Sequence, residues 1–131
     1  MASIRWTHIT LPVSDLSRSV AWYERYCGLV VVRDRRPSGG TVWLGAPVLD
    51  GELPNFVLVL AKEPIAAPFD HLGFQCESRA AVDAIAEQAE RAGSLARPPK
   101  DSGGVVGYWT QVRDPDGHLV EFTYGQPLTG L

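Results

Sequence analysis

Three side chains able to bind a divalent cation stand inside short apolar runs: His8 in "IRWTHITLPV", His71 in "FDHLGFQC" and Glu121 in "GHLVEFTY". An ionised group in an apolar strand is costly unless a cation or hydrogen bonds compensate it. Side chains alternate between the two faces of a strand. The first run therefore puts Trp6, His8 and Thr10 on one face and Ile9 and Leu11 on the other. The second sets His71, Gly73 and Gln75 opposite Leu72 and Phe74, and the last sets Leu119, Glu121 and Thr123 opposite Val120, Phe122 and Tyr124. Faces with a donor carry small or polar neighbours, and the opposing faces are bulky and apolar. Such a sheet packs one side on helices and lines a cavity with the other. Two imidazoles and a carboxylate form a 2-His-1-carboxylate set, which holds a divalent metal and leaves coordination positions open. Taken singly, each residue has a plainer alternative: a hydrogen-bonded strand histidine, or a carboxylate facing water on an edge strand. Their recurrence in corresponding strands favours the metal. His118 lies beside the turn at 114–117, on the face away from Glu121, and is left out of the set.

The elements that must position these residues repeat. "IRWTHITLPV" reads as a strand ending at Pro12, and "SDLSRSVAWYERYCG" as a helix capped by Asp15 or Ser17 and stopped by Gly28. The runs "LVVVRD", "TVWLGA" and "FVLVLA" follow as strands, separated by the turns "RPSGG" and "LDGELPN". The second half has the same order. A strand in "FDHLGFQC" leads into the helix "SRAAVDAIAEQAERAG", closed by Gly93; then come "SLAR" as a weak strand, "GYWTQVRD" and "GHLVEFTY". The stretch "PPKDSGG" is expected to be a flexible loop. The helix-ending glycines Gly28 and Gly93 are 65 positions apart, and His8 and His71 are 63 apart. The chain is therefore expected to be an α+β domain of two βαβββ modules, at about 4–61 and 69–125, with a linker at about 62–68.

The composition narrows the function. A length of 131 residues suits one domain, and 45% apolar with 21% charged residues is an ordinary globular balance. A net charge of −3 gives no electrostatic footprint for nucleic acid or for an anionic membrane. The one basic cluster, Arg33, Arg35 and Arg36, encloses Asp34 and reads as a solvated loop, with steering of an anionic substrate as the alternative. Two cysteines, Cys27 and Cys76, are too few for a disulfide framework and are expected as reduced thiols. The start lacks the features of a signal peptide, and no apolar run approaches the ~20 residues that span a bilayer. A cytoplasmic, soluble protein with a small-molecule ligand is the expectation.

The doubled βαβββ pattern, a histidine in the first strand of each half and the closing "RDPDGHLVEF" resemble the vicinal oxygen chelate superfamily. That superfamily includes glyoxalase I, extradiol dioxygenases, fosfomycin-resistance enzymes and bleomycin-binding proteins. The opening "HITLPVSDLSRSVAWYERYCGL" is similar to the family's first strand and helix. The resemblance implies the glyoxalase/bleomycin resistance/dihydroxybiphenyl dioxygenase fold, in which two modules form a cupped eight-stranded mixed sheet. It also implies metal ligation by His8, His71 and Glu121, with Fe2+ or Mn2+ favoured over Zn2+ or Ni2+, and a homodimer.

Within the family the pattern departs from each familiar member. Glyoxalase I takes a fourth ligand from the last strand of its first half, where the position matching Glu121 falls at about Leu58. Extradiol dioxygenases carry a catalytic histidine upstream of the last turn, and residues 94–110 contain none; position 111, a tyrosine there, is Gln111. The anion loop of fosfomycin-resistance enzymes is not recognisable in "PPKDSGGVVG". The resemblance thus implies a metal-dependent lyase or dioxygenase acting on a small oxygenated molecule, with no general acid or base named. The alternatives are a metal-free binding protein of the bleomycin-resistance type and a thiol transferase of the fosfomycin-resistance type. Trp43, Tyr108 and Trp109 are the candidates for an aromatic pocket wall, and Thr10, Gln75 and Gln111 for polar contacts to substrate.

Overall fold

A computed structural model describes residues 6–66 and 70–126, so the expected module starts near 4 and 69 and part of the linker lie outside the described residues. The element order is β1 (His8–Val13), α1 (Leu16–Cys27), β2 (Val30–Asp34), a short 3-10 turn (Arg36–Ser38), β3 (Val42–Gly45), β4 (Val57–Lys62), β5 (Leu72–Gln75), α2 (Arg79–Arg91), β6 (Leu95–Asp101), β7 (Tyr108–Arg113) and β8 (Leu119–Tyr124). The fold is α+β with a tandem βαβββ order. Hydrogen bonds gather the strands into two four-stranded mixed sheets, ordered β1-β4-β3-β2 and β5-β8-β7-β6. Contacts divide the chain into two units, Met1–Ala66 and Ala67–Leu131, each with its own sheet and helix.

Local chemistry sets the helix limits. The Asp15 carboxylate accepts from the Arg18 amide at 3.0 Å, and Gly28 closes α1 in a left-handed conformation (φ 64°) that returns its amide to Glu24. In α2 the Ser78 hydroxyl accepts from the Ala81 amide at 3.0 Å, and Gly93 follows the helix with φ 76°. Each helix buries one stripe: Ser19, Val20 and Tyr23 in α1, and Val82, Ala86 and Ala89 in α2. The unit 1 core is completed by Leu11, Val13, Val42, Leu44 and Leu60, and that of unit 2 by Val112, Val120 and Phe122. Burial of such side chains supplies roughly 1.5–3 kcal/mol each before entropy is counted.

Two expectations change. The segment expected as the loop "PPKDSGG" contributes Pro98, Pro99, Lys100 and Asp101 to β6. Two adjacent prolines cannot donate to a ladder, but β6 is an edge strand, and its pairing with β7 shifts register between Arg97 and Lys100, where the prolines fall. The second change concerns the position matching Glu121. In unit 2, Glu121 pairs with Gly73, two residues beyond His71. In unit 1 the residue two beyond His8 is Thr10, and its partner is Val59. Strand alternation turns Leu58 towards the helix side, so Val59 replaces Leu58 as the counterpart of Glu121.

The registers extend this correspondence into rows. Unit 1 aligns Thr10, Val59, Trp43 and Arg33 across its four strands, and unit 2 aligns Gly73, Glu121, Gln111 and Arg97. Residues opposite one another share a face. Each sheet therefore turns one such row away from its helix.

Candidate functional site

In unit 2, His71 stands immediately before β5 and Glu121 lies mid-way along β8. The Glu121 side chain is 14% exposed, and its Oε1 is 3.8 Å from His71 Nε2. The other imidazole nitrogen is occupied: His71 Nδ1 lies 2.6 Å from Asp70 Oδ1. A carboxylate at Nδ1 favours the tautomer with its proton there, which leaves the Nε2 lone pair directed at Glu121. Glu121 Oε2 accepts from Gln126 Nε2 at 3.5 Å, a weak tether. Gln111, opposite Glu121 on β7, is buried, and its Oε1 accepts no hydrogen bond among the described residues. The same face thus carries a carboxylate, an imidazole lone pair and an orphaned amide oxygen.

This donor set fits a cation. Two atoms bound to one ion at about 2.1 Å each lie no more than about 4 Å apart, and the His71–Glu121 separation meets that limit. The carboxylate behind the imidazole is the usual outer partner of a metal-bound histidine. Among the described residues no group of three or more His, Cys, Asp and Glu side chains gathers as a metal cluster.

In unit 1, His8 opens β1 and is exposed, with Nδ1 2.9 Å from Thr7 Oγ1. Both histidines are thus engaged at Nδ1 by the residue before them. His8 and Trp43 line a cavity of about 410 Å³ on the side of the sheet away from α1, with Thr10, Val57 and Val59 in its floor and Arg35 and Thr41 at one side. Trp43 is fixed there: its Nε1 donates to Thr41 Oγ1 at 3.0 Å, and the Arg33 guanidinium lies 5.1 Å from its ring centre.

The remaining expected residues divide by face. Gln75 pairs with Thr123 and Trp109 pairs with Thr123 from the other side, so both share the Glu121 face; the Trp109 Nε1 donates to Ser102 Oγ at 3.0 Å. Tyr108 is on the helix side. Its hydroxyl donates to Asp83 of α2, and the Arg79 guanidinium lies 4.1 Å over its ring. That hydrogen bond to Asp83 raises the phenol above its usual range, with desolvation and the negative charge of Asp83 adding to it and Arg79 opposing. Sequence reasoning missed Asp70 and Thr7 beside the two histidines, and it raised Arg35 only as part of a basic cluster with anion steering as the alternative. The signal for the first two was adjacency, because an oxygen-bearing residue precedes each strand histidine.

Neither Cys27 nor Cys76 is in a disulfide, and burial pushes the thiol of Cys76 up. Among the described residues no helix is long and apolar enough to cross a membrane.

The comparisons with known proteins agree on one family. The model of the Glyoxalase/Bleomycin resistance protein/Dioxygenase superfamily matches residues 5–122. An uncharacterized protein of Pseudomonas aeruginosa is 42% identical over 129 residues, covering 93% of this chain and 89% of that protein. A probable trivalent organoarsenical cleaving enzyme of Bacillus subtilis is 28% identical over 125 residues, covering 92% of this chain and 80% of the enzyme. Among solved structures, a possible glyoxalase from Bacillus cereus superposes with a TM-score of 0.70 at 26% identity, over 92% of this chain and 99% of that one.

Proposed function

The chain belongs to the Glyoxalase/Bleomycin resistance protein/Dioxygenase superfamily, and on that premise we propose that it is a divalent-metal-dependent lyase or dioxygenase acting on a small oxygenated molecule. The observation that carries the proposal is the Asp70–His71–Glu121 arrangement, in which one imidazole nitrogen lies 2.6 Å from a carboxylate and the other 3.8 Å from a second. A protein that only sequesters a ligand has no use for it. The similarity to an enzyme described as cleaving organoarsenicals points the same way.

In the proposed site His71 and Glu121 hold the ion from one unit. His8 is the third proposed donor. Fe2+ or Mn2+ suits this nitrogen and oxygen set, with Zn2+ or Ni2+ as alternatives. The metal would act as a Lewis acid towards two neighbouring substrate oxygens. The residues of the chain bind and orient. Asp70 keeps the His71 proton at Nδ1, Gln111 offers its unused amide oxygen to a substrate hydroxyl, and Thr10, Gln75 and Trp109 border the same faces. Tyr108, tied to Asp83 on the helix side, takes no part. A fourth ligand at the counterpart of Glu121 is not available from Val59, so the proposal is a three-donor site.

The test is metal analysis of protein purified without chelator, followed by reloading of stripped protein with Mn2+. One ion per chain that returns on reloading is the expected result. Substoichiometric metal that cannot be restored would favour the metal-free binding protein.

A further inference from the structure

The basic cluster before β3 holds three arginines in three different states. Arg36 is closed on Asp34, with its Nε 2.9 Å from Oδ1 and its Nη2 2.6 Å from Oδ2. Arg33 lies against the Trp43 ring. Arg35 has neither partner. Its backbone amide is spent on Thr41 at 2.9 Å and its carbonyl accepts from Ser38 and Gly40, but among the described residues no carboxylate neutralises its guanidinium. Arg35 also lines the 410 Å³ cavity that contains His8. Asp34, the nearest acid in sequence, is already held by Arg36. The cavity is therefore lined by Arg35, a fixed indole and two valines, with His8 and its imidazole also in the lining.

We infer that this cavity binds an organic anion, with a carboxylate, phosphonate or similar acidic group on Arg35 and a flat or apolar body against Trp43, Val57 and Val59. The inference rests on the proposed enzymatic role of the His8 site and names its substrate class. A guanidinium takes two acidic oxygens through parallel N–H donors, which a neutral oxygen cannot match. The partition of charge gives the reason for three adjacent arginines with one aspartate: Arg36 removes Asp34 from competition and so keeps Arg35 available to a ligand.

The experiment is a tryptophan-fluorescence titration of chelator-treated protein with phenylphosphonate, and with benzyl alcohol as a neutral ligand carrying the same ring. Phenylphosphonate is expected to give a saturable change, and benzyl alcohol to bind about tenfold more weakly or worse. Arg35→Gln should weaken phenylphosphonate by about tenfold or more, whereas Arg35→Lys, which keeps the charge but loses the paired donors, should fall between wild type and Arg35→Gln. Circular dichroism of both variants checks that they fold. Equal affinity for the two ligands, or an unchanged titration in folded Arg35→Gln, would overturn the inference. Because no metal is present, the outcome is separate from metal loading. Anion binding through Arg35 in a chain that takes up no ion would sink only the metal proposal, and a loaded chain indifferent to the anion would sink only this one.

Discussion

Replacing Glu121 by alanine removes a donor while also relieving a carboxylate of a largely buried position. Glu121→Ala should therefore cut Mn2+ affinity by about 100-fold or more with the fold intact, because outer partners alone are worth about 10–100-fold. Glu121→Gln should do nearly as much damage, since a neutral amide is a poorer ligand for a hard cation. Asp70→Asn keeps the shape and loses the charge that fixes the His71 proton, so it should cost about 10–100-fold. Calorimetric titration with Mn2+ measures all three, and full affinity in Glu121→Ala would leave that residue as an ordinary strand carboxylate. A second residue-scale prediction concerns pH. Hydrogen bonds from Arg36 hold the Asp34 carboxyl at about 2 rather than 3.8. A depressed folded value means that the pairing contributes fully above the unfolded value and is lost as pH falls through about 2. A carbon-detected NMR titration should place the Asp34 midpoint near 2, and a midpoint near 3.8 would show that the pair does not persist in solution.

At the scale of elements, each helix depends on one side-chain cap. Asp15→Ala and Ser78→Ala should each destabilise the protein by about 1 kcal/mol, seen as a lower urea midpoint. The two caps share no partner, so the double variant should lose roughly the sum. These helices were legible because caps, apolar spacing and terminal glycines are local signals. Strand identity in β4 was equally legible, but its register was not: whether Leu58 or Val59 faces the His8 side depends on pairing with β1, a contact over about fifty residues. The prolines of β6 misled for a related reason, because proline chemistry forbids a central strand and only the sheet order reveals an edge. His8, His71 and Glu121 stand out as proposed donors by type and period alone. The roles of Asp70 and Arg35 depend on which group each faces, and that was not visible in the residue types.

For the whole molecule, the edges of the sheets carry the next expectation. Prolines interrupt the outer strands β1, at Pro12, and β6, at Pro98 and Pro99, whereas β2 presents Val30, Val31 and Val32 at 37–40% exposure with no such guard. A homodimer is the expected state. Sedimentation equilibrium at micromolar concentration should give twice the chain mass of 14.3 kDa. A monomer under those conditions would contradict it.

The matching rows of the two units bear on how such a chain changes over generations. Thr10, Val59, Trp43 and Arg33 repeat the placement of Gly73, Glu121, Gln111 and Arg97, yet one row carries a carboxylate where the other carries a valine. Valine and glutamate codons can differ by a single base. A glutamate at position 59 would give unit 1 the strand placement that Glu121 has in unit 2, and a lineage with this architecture can reach that exchange, or lose Glu121, by one point mutation.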